Sequence, residues 1–368
     1  MKRNLQLDFL RFLGVALVVV HHVPFHDSTA FGAVISFIQT GGWIGVDLFF
    51  MLSGYLIATL IIKEYQANGS FNIRLFLIRR GFKIYPAYYF LLIYQFWYSA
   101  NIAKHHQSLT RFFHEFFFIA NYTKNNNGHL WSISVEEHFY VLLAIAFVLM
   151  IKFKKVNFKT MLVLYLVLLT VAVSCRTYNY FTYGNYDFDR DYTRSHLRFD
   201  AMFFGVLIAF LANYRKAFMQ RLKAYKYKPV IFVLCILFLL TNFIYGRWDH
   251  PWQGMISLSL NPICFGYIMV CMLDYHNPRF LHIIKPLAYI GTYSYSIYLF
   301  HIHFLGLALK LYPYGKPVFY ISYIVFALIG GIIVSKCIEY PFLKIRERYF
   351  PNRYKKPKRE LATLTPTS

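Results

Sequence analysis

Arg11 and His22 stand eleven residues apart in the run LDFLRFLGVALVVVHHV, from Leu7 to Val23, whose other members are almost all apolar. An imidazole ordinarily titrates near neutrality and suits a general base, while a guanidinium grips phosphate or carboxylate. On an α-helix eleven steps make about 1100°, roughly 20° past three turns, so the two side chains share one face, about 16.5 Å apart along the axis. His21 points about 100° away from that face. Ordinary roles also exist for the pair, with Arg11 snorkelling to a headgroup layer and His22 satisfying a packing hydrogen bond. Isolated ionisable residues inside a membrane are costly, however, and mark function by default.

That the run belongs in a membrane follows from composition. The 368 residues are 58% hydrophobic and only 15% charged, beyond what a water-soluble domain of this length holds. Apolar segments near 9–25, 42–62, 84–99, 133–152, 160–178, 199–213, 229–246, 256–273, 287–311 and 317–337 are candidates to cross about 30 Å of hydrocarbon. The expected fold is therefore an all-α polytopic integral membrane helical bundle of about ten transmembrane helices over 1–349, followed by a short, basic, disordered cytoplasmic tail over 350–368.

The net charge of +23 raises the question of nucleic acid, and its distribution answers it. With a cytoplasmic N-terminus, 28 Lys and Arg residues fall inside and 10 outside, which is the positive-inside asymmetry of an even number of spans with both termini cytoplasmic. The basic excess reads as topology in a cell membrane, with no nucleic-acid partner, and runs such as RKAFMQRLKAYKYK face anionic lipid. Lys2 and Arg3 before an apolar run imitate a signal peptide, but no small-residue cleavage site follows His22, so an uncleaved first span is expected. The five cysteines are scattered without CxxC pairing, which implies neither a disulfide framework nor a metal site.

Applying this topology gathers polar residues at one depth. Asp47, Glu136, Glu137, Arg198, Asp200, His301 and His303 all fall in the outer half, with Trp131 at the interface. Each has a plain explanation: Asp47 and Glu136 as helix N-terminal charges, Arg198 as a partner of Asp200. Together they suggest a shared polar cavity lined by Trp131, Arg198, Asp200, Tyr298 and His301, with Trp131, Tyr140 and Tyr298 as candidate sugar-stacking rings. On the cytoplasmic side, FLIRRGFKIYPAYY sets Arg80 and Lys83 three apart on one helix face, able to hold a multiply charged phosphate, whereas Arg79 is explained by topology alone.

Several stretches, taken in order, resemble the membrane-bound acyltransferase 3 family of polysaccharide O-acetyltransferases. LDFLRFLGVALVVVHH is similar to its first motif, an arginine followed after ten residues by a histidine, and selects His22 over His21. GVDLFFMLSGYLI, RRGFKIYP, LWSISVEEHFY, RFDAMFFG, SYSIYLFH and IEYPF resemble later motifs, so the likeness runs from about Leu7 to Pro341. It implies about ten spans, an acyl-CoA donor that is usually acetyl-CoA, and acceptor hydroxyls on envelope sugars. It further implies that Arg11 and His22 are essential and that an Arg-x-x-Arg motif engages the donor. Lys83 stands where the second arginine is usual, which keeps the charge and loses the bidentate geometry. Some relatives carry an extracytoplasmic hydrolase-like domain after the last span; without one, this chain is expected to act alone or with a separate partner.

The residues and the resemblance together suggest coenzyme A phosphates on Arg80 and Lys83, with Arg11 assisting, and His22 as base toward a carbohydrate hydroxyl. Glu136 or Asp47 would orient the imidazole, as a carboxylate does in a triad. An acyl-histidine intermediate is equally compatible with these residues. A competing class is a secondary transporter, in which the same charges form an intramembrane relay. Its matched broken helices would need a counterpart to GGWIG and SGY, and the two halves show no such symmetry.

Overall fold

The computed structural model describes residues 4–24, 30–102, 107–123, 126–246, 250–273 and 275–353, and among them the chain is helical with no strand. Its elements are α1 (Leu5–His21), α2 (Ala30–Gly41), α3 (Ile44–Asn68), α4 (Ile73–Asn101), α5 (Leu109–Phe116), α6 (Trp131–Lys152), α7 (Phe158–Tyr183) and α8 (Phe188–Asp191). They continue as α9 (Phe199–Tyr214), α10 (Lys216–Lys223), α11 (Lys228–Ile244), α12 (Leu258–Leu273), α13 (Pro278–Gly291), α14 (Ser294–Leu309), α15 (Lys316–Val334) and α16 (Tyr340–Tyr349). Side-chain caps start several of them: Asn4, Asn72 and Asn157 each accept a backbone N–H of the first turn that no helical carbonyl can reach.

The fold is the expected all-helical membrane bundle, and the described part of each apolar segment is mostly helical, with 287–311 divided between the end of α13 and α14. By length and apolar composition alone, five helices among the described residues qualify as spans: α3, α6, α7, α12 with the π-helical turn before it, and the continuous run from α15 through α16. A sixth qualifies if α9 and α10, bent by 105° at Arg215, count as one. The other segments are shorter or more polar. α1 stops after 17 residues, α11 and α14 run 17 and 16, and α4 carries Arg74, Arg79, Arg80 and Lys83 in its first turns. Among the described residues α2, α5, α8, α10, α16 and most of α13 lie in stretches not read as spans. Of the expected tail, 354–368 lies outside the described residues.

One crossing does most to position polar groups. A Cβ on Gly54 of α3 would stand 1.9 Å from the Met202 carbonyl oxygen of α9, and one on Gly205 would stand 2.0 Å from that of Met51. Only glycine lets the two backbones touch, which is how small residues serve helix packing in lipid. The contact brings Asp47 beside Arg198 at the start of α9. Around it Phe50, Trp131, Phe139, Tyr192 and Phe203 pack edge to face.

Candidate active site

A cavity of about 170 Å³ opens between α1, α3, α4, α6 and α14. Arg11, Arg80 and Lys83 supply its cations, Glu136 its carboxylate, and Ser53, Tyr140, Ser132 and Tyr298 its hydroxyls. Glu136 is fixed by two of these, accepting from Ser53 at 2.9 Å and from Tyr140 at 2.8 Å. Arg11 is held by Asp8 one turn earlier, at 2.8 Å, and its side chain remains 36% exposed. Lys83 pairs with Glu339, which also accepts from Ser296 at 2.9 Å and Ser335 at 3.2 Å. A π-helical turn over Ser335–Glu339 aims that carboxylate inward, a local irregularity often found at functional sites. Arg80 makes no hydrogen bond or ion pair among the described residues, although its Nε is buried. It also lines a second cavity, of about 280 Å³, with Arg79, Arg346 and Arg353.

Tyr298 forms part of the wall of the first cavity. Its hydroxyl donates to the His129 carbonyl at 2.8 Å and lies 2.6 Å from Ser132 Oγ, so it is tied on two sides. Beyond it lie three imidazoles, with ring centres 4.8 Å apart for His22 and His301 and 5.3 Å apart for His301 and His129. The Tyr298 ring is 5.7 Å from that of His301. Sequence reasoning set His22 within the first span; the structure makes it the residue that ends α1. Its Nδ1 lies 2.9 Å from the Val18 carbonyl. A carbonyl only accepts, so Nδ1 carries the hydrogen and Nε2 is the basic nitrogen. His21 turns the other way, 2.6 Å from the Gln39 carbonyl of α2.

The residues expected to cluster around His22 thus divide. Glu136, expected to orient the imidazole, is engaged by Ser53 and Tyr140 in the cavity with Arg11 and Arg80. Asp47, given the same role, is ion-paired with Arg198 and accepts from Asn261 at 2.9 Å. Arg198 and Asp200, expected on the acceptor side, are completely or almost completely buried and neither lines the cavity. Asp200 pairs with Arg176 at 2.6 Å and accepts from Ser259, while Arg198 lies over the Tyr192 ring at 4.6 Å. Trp131, expected as a stacking ring, is 3% exposed and packs against Tyr192 and Phe50. Of the acceptor-side set, Tyr298 reaches the cavity and His301 reaches His22. Arg79 anchors α16 through Glu347 at 2.7 Å and through the Phe350 carbonyl.

His129 and Glu339 were not singled out from sequence. The first lies just before LWSISVEEHFY and the second within IEYPF, so their places in those stretches were the available signal. Among the described residues no group of three or more His, Cys, Asp or Glu side chains is arranged to hold a metal ion.

This architecture has known relatives in sequence. Residues 4–336 match the family model described as an acyltransferase domain, acyltransferase 3. The peptidoglycan O-acetyltransferase OatA of Listeria monocytogenes is 27% identical over 336 residues, covering 84% of this chain and 51% of the relative. YrhL of Bacillus subtilis, provisionally named a peptidoglycan O-acetyltransferase, is 26% identical over 363 residues, covering 92% of this chain and 54% of the relative. A Staphylococcus aureus (strain COL) protein provisionally named an O-acetyltransferase is 26% identical over 368 residues, covering 92% and 57%. The chain therefore spans a little over half the length of these relatives. No solved structure matches it. With a match over almost its whole length, the chain belongs to the acyltransferase 3 family.

Proposed function

We propose that the protein is a membrane O-acetyltransferase that moves an acetyl group from acetyl-CoA to a hydroxyl of a cell-wall carbohydrate. One observation carries this reading: a cavity lined by Arg11, Arg80, Lys83 and Tyr298 has His301 beside the Tyr298 ring, and His22 beside His301. The basic end faces the cytoplasm, as the distribution of Lys and Arg favours. Coenzyme A phosphates sit against Arg80 and Arg11, with Lys83 kept in place by Glu339. The thioester arm lies along the cavity, with the acyl carbon towards Tyr298 and the imidazoles.

His22 Nε2 then takes the proton of the acceptor hydroxyl as that oxygen bonds to the thioester carbon. The carbon–sulfur bond breaks, and the coenzyme A sulfur receives the proton from His22. Glu136, held by Ser53 and Tyr140 beside Arg80 and Arg11, balances the cations of the donor end. The acceptor class is supported by the relatives' names, two of which specify peptidoglycan.

The test is to incubate membranes holding wild type, His22→Ala or His21→Ala with acetyl-labelled acetyl-CoA and isolated cell-wall glycan strands, following label into glycan and free coenzyme A. Labelling by wild type and His21→Ala, with none by His22→Ala at equal membrane abundance, is the expected result. Wild-type membranes that neither label glycan nor release coenzyme A above an empty-vector control sink the reading.

A further inference from the structure

His301 is fully buried, and its two ring nitrogens have different fates. Nδ1 lies 2.5 Å from the Tyr298 carbonyl one turn earlier in α14, so this nitrogen carries the ring hydrogen and donates it. Nε2, at the opposite edge of the ring, is therefore an acceptor, and it is buried with no hydrogen-bond partner. The neighbouring imidazoles are set differently. His22 Nδ1 is tied to the Val18 carbonyl, and His129 Nε2 lies 3.0 Å from the Leu299 carbonyl. A dry, unpaired acceptor wedged between two tethered rings carries a desolvation cost that a hydrogen-bond donor removes.

Resting on the reading of His22 as base, we propose that His301 is a second catalytic residue, whose Nε2 accepts a hydrogen bond from the carbohydrate acceptor and fixes its position beside His22. The bond engages a second hydroxyl of the sugar, next to the one whose proton passes to His22. A polyol supplies both groups from adjacent carbons, whereas a single alcohol or water supplies only one. On this reading the two imidazoles, with ring centres 4.8 Å apart, act on the acceptor together, while Asp47 is paired with Arg198 and Glu136 with Ser53. His301 thereby selects vicinal-hydroxyl acceptors over water, a discrimination typical of sites whose buried polar group is left unpaired by the wrong substrate.

Two substitutions separate this role from a structural one. His301→Asn keeps an amide donor near the Tyr298 carbonyl and removes the Nε2 acceptor; His301→Gln reaches an amide oxygen toward the Nε2 position. Transfer from labelled acetyl-CoA to isolated glycan strands is measured as a function of strand concentration, alongside acetyl-CoA binding by competition with desulfo-coenzyme A. Expected are a fall of roughly 10–100-fold in kcat/KM for glycan in His301→Asn, partial recovery in His301→Gln, and unchanged donor binding in both. A higher ratio of acetyl-CoA hydrolysis to transfer in His301→Asn is also expected. Wild-type kinetics in His301→Asn, equal losses in both variants, or weakened donor binding would each overturn the proposal. If wild type itself transfers no label, it is the acetyltransferase reading that has failed; if wild type transfers and His301→Asn matches it, only the role of His301 has.

Discussion

Two sets of ionisable residues run side by side through the bundle and are built from the same side chains. One lines the cavity from Arg11, Arg80 and Lys83 past Glu136 to Tyr298 and the imidazoles. The other is a seam across α3, α7, α9 and α12, where Asp47 meets Arg198 and Asn261, and Asp200 meets Arg176 and Ser259. In the seam both ion pairs are formed from side chains that are 0–1% exposed, and no member lines the cavity. In the cavity wall Arg80 Nε is left without a partner beside room for a ligand, and next to Tyr298 the buried His301 Nε2 is likewise unpartnered. Charge within a membrane protein is thus a weak sign of chemistry on its own. Incomplete pairing does not separate the two sets, since Arg176 Nε, Arg198 Nε and Nη1 and Asp200 Oδ1 in the seam are also buried without a hydrogen-bond partner; the informative combination is charge with adjoining volume.

The comparison breaks first if the histidine end is dispensable. His22→Ala is expected to lower acyl transfer by about 10²–10⁴-fold, the range for losing a general base, with no change in thermal stability of the detergent-solubilised protein. A large fall in melting temperature with activity per folded molecule preserved would move His22 into the structural class.

Asp47→Asn is expected to do the reverse. It leaves Arg198 charged and unmatched in a dry interior, a loss on the scale of roughly 3–5 kcal/mol, seen as lower membrane abundance and a lower melting temperature. The double variant Asp47→Leu with Arg198→Met should recover most of that stability, because two apolar side chains carry no desolvation debt. Failure of the double variant to recover either stability or transfer would show that the pair does more than hold α3 to α9.

The sequence allowed one half of this comparison to be anticipated. Apolar runs located the helices because the need to satisfy every backbone group within lipid leaves little choice of structure. Which polar residues meet is a different matter, since Lys83 and Glu339 are 256 positions apart and Asp47 and Arg198 are 151 apart. Depth estimates put Asp47, Glu136, Arg198 and His22 at one level, but depth says nothing about azimuth. The crossing at Gly54 and Gly205 turns Asp47 toward Arg198, while the position of Glu136 on α6 turns it toward Ser53. α2 escaped notice because its apolar stretch is only 12 residues, too short to read as a span.

At the basic end, Glu339→Gln tests whether Lys83 is a positioned cation. The substitution keeps an oxygen for Ser296 and Ser335 but frees the ammonium, so the KM for acetyl-CoA should rise by roughly 3–10-fold with kcat little changed. Lys83→Arg, which restores a planar fork opposite the carboxylate, should match or improve on wild-type donor affinity. A fall in kcat with unchanged KM in Glu339→Gln would place this pair at the chemical step and erase the boundary drawn between the two ends of the cavity.

The smallest effect lies outside the spans, where Glu115 in the last turn of α5 holds the connection to α6. Glu115 is 1% exposed and accepts from the Asn126 and Asn127 backbone N–H groups at 2.8 and 2.7 Å and from the Asn127 amide at 2.9 Å. Burial raises its pKa above the ordinary carboxyl value, against the pull of the Asn127 and Asn126 hydrogen bonds. A carboxyl raised by folding holds its proton more tightly in the folded state, so its contribution to stability is complete below the ordinary value and declines as pH rises through the folded one. Amide exchange at Asn126 and Asn127, corrected for intrinsic rate, should therefore show weaker protection at about pH 8 than at about pH 5. Glu115→Gln should flatten that dependence, because the amide has no proton to lose. Stronger protection at the higher pH would mean that the three donated bonds outweigh burial, so that this carboxylate, like Asp47 beside Arg198 and Asn261, is held charged by its partners.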